Sequence, residues 1–429
     1  MRKFEEYYVA FWCLTMPITS FVLVPAVSGS IIPYLMAFGS LGFVFFKIGN
    51  GEVPAPMLGY IKIFCAVLGL WLLLLCGSQI GNLMNPQLDL QGMYTISDET
   101  TNMFRSSLFT QSLYLLACLF IALYFRYFLP EAWLKYTYWG AWFLVIYGLY
   151  DWTYFLVFHD SGDFIENRTF GDHDHPGSWS QGLDIGGLQI LRLKSCLGEP
   201  SFLSAVVIPY LFMAIEGKRK YLAVLLFACA ILSTSTTVYI GLAICIFVQA
   251  LWSEKSRMTS VAILALLVLT IIAMALILPD TYRFLFEDKL SGDTTSGQDR
   301  LKSIEDYEAL FSNFSLMNWI FGVGFGYVYF SLLWSITANT GILGIGTFLY
   351  AFLKPAYLLP RANRSEWLKI SMIAILVVVA ITLTELFIPT TWMFLGLAYR
   401  RLDQLKVARE LPISPLPLRP EPSLEGSVG

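Results

Sequence analysis

The stretch SLFTQSLYLLACLFIALYFRYFL, residues 107–129, contains a single charged side chain, Arg126, close to its C-terminal edge. At 1.5 Å of rise per residue, a helix of this length crosses a hydrocarbon core about 30 Å thick. A helix also satisfies its own backbone N–H and C=O groups, which is the condition that lipid imposes. A water-soluble helix needs a polar face, and residues 113–125 provide none.

The same pattern recurs near 7–27, 30–46, 58–78, 136–158, 200–215, 219–234, 236–252, 258–278, 331–353, 368–388 and 389–400. These runs predict an all-α, polytopic integral membrane fold of about 12 transmembrane helices. The short polar break Ser233-Thr234-Ser235-Thr236-Thr237 reads as a tight turn between two of them. Composition agrees. The chain is 56% hydrophobic and 14% charged, whereas a soluble domain carries roughly 25% charged residues to hydrate its surface. The multispanning domain is expected over 1–410, followed by a Pro- and Ser-rich cytoplasmic tail, 411–429, that reads as disordered.

Net charge is −3 and there is no basic block, which removes nucleic acid as a partner. Six of the seven cysteines lie inside apolar runs, so no disulfide framework is legible. Arg2 and Lys3 lead into the first apolar run without a small-residue cleavage site, the pattern of a retained helix.

Lys and Arg alternate along the connections. Arg2-Lys3, Lys47, Arg126 with Lys135, Lys218-Arg219-Lys220, Lys255 with Arg257, Lys354 through Lys369 and Arg400-Arg401 belong to one set. The positive-inside rule makes that set, and both termini, cytoplasmic. The sizeable loops near 79–106, 159–199 and 279–330 then face the outside or periplasm, with the inner membrane as the location.

Outer-face polar groups gather in two places. Arg192-Leu193-Lys194-Ser195-Cys196-Leu197-Gly198-Glu199-Pro200-Ser201 precedes an apolar helix, with Pro200 suited to its first turn and Glu199 to the exposed N–H groups there. A capped helix with snorkelling cations is the plainer reading. The second group contains Arg283, Asp288, Lys289 and Ser296-Gly297-Gln298-Asp299-Arg300. An amphipathic stretch, Leu301 to Phe311, and then Phe321-Gly322-Val323-Gly324-Phe325-Gly326 follow it. Alternate glycines permit close backbone approach. Guanidinium groups from the two loops would suit a diphosphate if the loops met.

Gly171-Asp172-His173-Asp174-His175-Pro176 reads as a solvated loop, and no metal site is expected there. Glu385, close to a span end, is either functional or simply in reach of water. Trp179 and Trp319 are placed either to stack on sugars or to pack within loops.

Four segments, in order, resemble the O-antigen polymerase and ligase superfamily of bacterial surface-polysaccharide glycosyltransferases. They are Arg192 to Ser201, Leu232 to Thr237, Ser296 to Arg300, and Phe321 to Gly326 with Asn339-Thr340-Gly341-Ile342-Leu343-Gly344. Ligases of this superfamily carry a His before the last motif. Here Tyr329-Phe330-Ser331 stands in that neighbourhood and no His follows His175, which favours the polymerase branch.

The resemblance implies a polymerase that transfers a glycan from undecaprenyl pyrophosphate to another lipid-linked repeat unit. The product would be O-antigen, capsule or exopolysaccharide. Arg192, Arg300 and Glu199 would be catalytic, and Lys194, Arg283 and Gly324 would bind substrate. No cofactor would be required; the partners are the undecaprenyl-pyrophosphate-linked oligosaccharide, membrane lipid and a chain-length regulator. The rival is a transporter or flippase for a lipid-linked oligosaccharide. Transporters place ionisable groups near the midplane, whereas Lys62 and Glu385 here lie near span ends.

Overall fold

The computed structural model describes residues 2–25, 27, 29–51, 54–85, 88, 106–168, 182–185, 188–252, 257–277, 279–283, 287, 291, 295–328, 332–360, 365–381 and 386–410. The proposed disordered tail, 411–429, lies outside them.

Long apolar runs become helices, and the fold is all-α apart from one small hairpin. In chain order the helices are α1 (Arg2–Thr15), α2 (Ile32–Gly49), α3 (Pro54–Met84), α4 (Ser106–Tyr127), α5 (Thr137–Phe158), α6 (Leu203–Glu216), α7 (Lys220–Leu232) and α8 (Thr236–Trp252). They continue as α9 (Arg257–Ile277), α10 (Pro279–Tyr282), α11 (Thr295–Ser312), α12 (Leu316–Phe321), α13 (Leu332–Leu358), α14 (Glu366–Ile381) and α15 (Pro389–Glu410). Among the described residues, five helices are long and apolar enough to cross a membrane, and Leu203–Glu216, Lys220–Leu232 and Thr236–Leu251 are shorter apolar ones. Leu72, Leu73, Phe109, Leu113, Ile146 and Val157 on α3, α4 and α5 are exposed, a distribution that water would penalise.

The basic connections meet at one end. Lys47 pairs with Glu5, which also accepts the Tyr124 hydroxyl at 2.7 Å. Arg126 grips Asp403 with two hydrogen bonds, and Arg400 pairs with Glu131 at 3.0 Å. The start of α1 and the far part of α15 therefore share this end with the ends of α2 and α4. The polar segment from Arg400, expected to lie beyond a half-span, instead prolongs α15 to Glu410 and carries two of these three ion pairs, through Arg400 and Asp403.

The opposite end departs more from the sequence reading. The first run, expected over 7–27, is helical only to Thr15, because Pro17 disfavours helical backbone at the residue before it. The freed backbone groups find partners from later in the chain. Thr19 and Ser20 N–H donate to Cys196 O at 3.1 and 3.2 Å, Asn167 and Arg168 N–H donate to Ser20 O, and the Asn167 amide brackets Val22 N–H and C=O. Pro200 likewise lies ahead of its helix and not in it. Residues 199–202 form i to i+3 turns, with Phe202 N–H on Glu199 O at 3.1 Å, before α6 begins at Leu203.

Within the loop 159–199 lies a hairpin, β1 (Gly182–Ile185) and β2 (Leu188–Leu191), antiparallel in the register Gly182↔Leu191 to Ile185↔Leu188. The two residues between the strands in sequence are Gly186-Gly187, the composition that a two-residue hairpin loop demands. Most of the buried apolar side chains among the described residues form one core through α1, α2, α4 to α8 and α13 to α15. A smaller core joins Tyr307 and Leu310 of α11 to Val323, Tyr327, Val328 and Ala338.

Candidate functional site

At the end of the bundle away from the paired basic connections, β2 delivers Arg192 to the turn between α7 and α8. Leu193 N–H donates to Leu232 O at 3.1 Å. The Arg192 Nε donates to Thr234 Oγ1 at 3.2 Å and Ser233 O at 3.4 Å, and one Nη donates to Thr234 O at 3.3 Å. The end of α7 thus presents carbonyl oxygens to a cation, the favourable sign for a helix C-terminus. Thr234 holds φ of 45°, a left-handed conformation rare for a β-branched residue. Burial pulls Arg192 below its ordinary value, opposed by the Glu199 carboxylate and Tyr239. A guanidinium there stays charged. Glu199, half-buried, accepts the Ser201 hydroxyl at 2.8 Å.

Lys194 points elsewhere. Its ammonium lies 2.5 Å from Asp163 and 2.9 Å from Glu166, and the lysine and Asp163 side chains are fully sealed. Tyr147 donates its hydroxyl to Asp163, and Asp151, within electrostatic reach of Lys194, accepts Gly162 N–H at 3.0 Å. Burial alone would lower the lysine's affinity for its proton. The two adjacent carboxylates outweigh that and raise it. Lys194 therefore fastens the 192–199 segment to the 163–168 segment and to α5, with Ser195 Oγ donating to Leu144 O at 2.7 Å as a second tie. None of Asp151, Asp163, Glu166 and Tyr147 was singled out from sequence. The available signal was a fully charged side chain two residues from Arg192 in an otherwise apolar run, which needs a counter-charge if buried.

The glycine segment is built around asparagines. Gly322, Gly324 and Gly326 all have positive φ. Val323 and Gly324 N–H donate to Ala338 O and Asn339 O at 2.7 and 3.1 Å, and the Asn339 amide holds Tyr327 N–H, Val328 N–H and Val328 O. Asn82 of α3 donates to Val323 O at 2.7 Å and accepts from Asn318 at 3.0 Å. A Cβ at Gly322 would stand 2.4 Å from the Asn339 backbone, and one at Gly341 2.3 Å from Ile320 O. Gly324 is buried inside this pairing. Trp319 stacks on Phe311 with ring centres 5.3 Å apart, which is loop packing.

Arg192, Lys194 and Glu199 thus share one segment, with the two cations directed to different partners. Arg283 is exposed just after α10, and Arg300 lies within α11 with its side chain outside the described residues. His173, His175, Trp179 and Glu385 also lie outside them. Comparison with models of known protein families, with curated proteins and with solved structures finds no match.

Proposed function

We propose that this chain spans the inner membrane about a dozen times, with both termini cytoplasmic, and polymerises lipid-linked repeat units at the periplasmic face. One observation carries the reading. Arg192 to Ser201 and Leu232 to Thr237, two segments that resemble superfamily motifs, are joined through the Arg192 guanidinium across 41 residues of sequence. They meet at the end of the bundle opposite the paired basic connections.

In this reading the hydroxyl of a lipid-linked acceptor attacks the anomeric carbon of the growing glycan. The bond from that carbon to the phosphate oxygen breaks, and undecaprenyl pyrophosphate leaves with the electron pair. Arg192, with Arg300 and Arg283, neutralises the diphosphate as its charge develops, which is where a fixed cation lowers the barrier. Glu199 accepts the acceptor's proton. Lys194 enters as a positioning residue, holding the segment that carries Arg192 and Glu199. Gly324 keeps the glycine segment against Asn339.

Replacing Arg192 by Ala tests the proposal in cells. The expected result is single repeat units on the carrier, no long chains and unchanged protein level. An unaltered chain-length distribution at equal protein level sinks the assignment. A transporter variant would instead leave repeat units stranded at the cytoplasmic face, which protease-accessible glycosidase treatment of inverted vesicles distinguishes.

A further inference from the structure

At the basic end, α1, the 3-10 turn Glu131–Tyr136, α5 and the turn between α6 and α7 border a half-open cavity of about 400 Å³, within the range of small-ligand sites. Tyr7, Trp139 and Trp142 form aromatic walls, and Lys135 and Arg219 supply two cations.

Both cations are held on ring faces. The Arg219 guanidinium lies 4.3 Å from the centre of Tyr138, and the Lys135 ammonium lies 4.9 Å from the centre of Tyr136. Among the described residues neither has a carboxylate within ion-pair distance. Two acids act on the rings: Glu6 accepts the Tyr136 hydroxyl at 2.5 Å, and Glu216 acts electrostatically on Tyr138.

The backbone that presents Arg219 is fixed. Arg219 N–H returns to Ala214 O at 2.9 Å and Lys218 N–H to Ile215 O at 3.0 Å, the paired bonds that close a helix C-terminus. Lys218 occupies the left-handed position of that turn with φ of 56°. Glycine is the usual occupant, since a side chain there costs about 1–2 kcal/mol. The Tyr138 hydroxyl, donating to Met213 O at 3.3 Å, fills the space beside Gly217.

An apolar track leaves the cavity. Phe11, one turn beyond Tyr7 on α1, is 49% exposed, and Ile146, one turn beyond Trp142 on the adjoining α5, is 63% exposed. Both helices run from the basic end toward the other end, so the track leads away from the cations along the apolar surface.

We infer that this cavity binds a phosphate-bearing anionic lipid, its headgroup between Lys135 and Arg219 and its acyl chains along Phe11 and Ile146. Basic pockets between helices at the cytoplasmic surface take anionic headgroups by this chemistry, and indole and phenol rings sit at the same level. The inference rests on the membrane orientation proposed above and not on the polymerase activity.

The test is lipid retention by the purified full chain in detergent, measured by native mass spectrometry. Phosphatidylglycerol, phosphatidylcholine of the same acyl chains and inorganic phosphate are the probes. Phosphatidylglycerol is expected to be retained over phosphatidylcholine, with loss of about fivefold per cation removed in K135Q, R219Q and the double variant. K135R/R219K is expected to restore retention. K354Q, which removes a cation over a ring away from this cavity, is expected to leave it unchanged. Equal retention by wild type and the charge-removed double variant overturns the proposal. So does displacement of the lipid by millimolar inorganic phosphate, which would make the ligand a free anion.

Discussion

Lys194 and Asp163, 31 residues apart in sequence, form an ion pair that no solvent reaches. With Glu166 alongside, the pair joins two segments between which only the β1–β2 hairpin lies among the described residues. Charges in such a place stabilise only while every partner is present.

Replacing Lys194 by Met is therefore expected to lower stability by about 3–5 kcal/mol, because it strands buried carboxylates. Thermal unfolding in detergent, followed by size-exclusion chromatography, measures it. The triple variant K194M/D163N/E166Q is expected to recover more than half of the loss. Recovery of none would mean that packing, not charge, holds the segment.

The same pair fixes a pH window. The carboxylates raise the lysine's proton affinity above its ordinary value of 10.5. A group raised on folding contributes stability that is complete below its unfolded value and fades as pH climbs through its folded one. Wild type and K194M are expected to keep a constant lysine-dependent gap in melting temperature from pH 8 to 10, then to converge above 10.5. A gap that closes between pH 8 and 10 contradicts the assignment.

Gly322 and Gly341 sit back to back with φ of 74° and 63°. An alanine at either meets neighbouring backbone at 2.4 or 2.3 Å and must also adopt left-handed backbone. Each substitution is expected to cost at least about 1–2 kcal/mol from conformation alone, with the clash added. Gly346, whose Cβ would meet nothing, is the control, and G346A is expected to fold like wild type. Folded yield and melting temperature read the difference.

Cys196 is fully buried, and burial pushes its thiol up to about 12. Its Sγ lies 3.5 Å from Pro17 O. The thiolate is the reactive form, so alkylation at pH 8 is expected only after unfolding. Mass spectrometry of maleimide-treated native protein, digested and mapped to the peptide containing Cys196, checks this. Rapid labelling of folded protein would show that the segment opens.

The helical architecture was legible because lipid demands long runs without charge, and residues 107–129 or 136–158 leave little alternative. The turn at Ser233–Thr237 was legible for the converse reason, a polar break between two apolar runs. The end of α1 at Thr15 was not. An apolar run that stops helical pairing early looks the same in sequence as one that continues, unless Pro17 is given more weight than the hydrophobicity around it. The hairpin at 182–191 carried its signal in Gly186-Gly187, overshadowed by the polar loop before it. For the candidate site, the gathering of Arg192, Lys194 and Glu199 on one segment was legible in the sequence itself. The partners of Lys194 were not, because Asp163 and Glu166 belong to another segment, and only folding decides which buried acid meets which base.

The non-helical stretch after Thr15 has a consequence for biogenesis. Residues 19–22 take their backbone partners from residues synthesised about 145 positions later, Asn167 among them, and from Cys196. Until those arrive, bare amides at the tip of the first hydrophobic element have no protein partner. Packing of that element is thus completed retroactively, and a chain arrested ahead of Asn167 should exchange the backbone amides of Thr19, Ser20 and Val22 faster than the finished protein does.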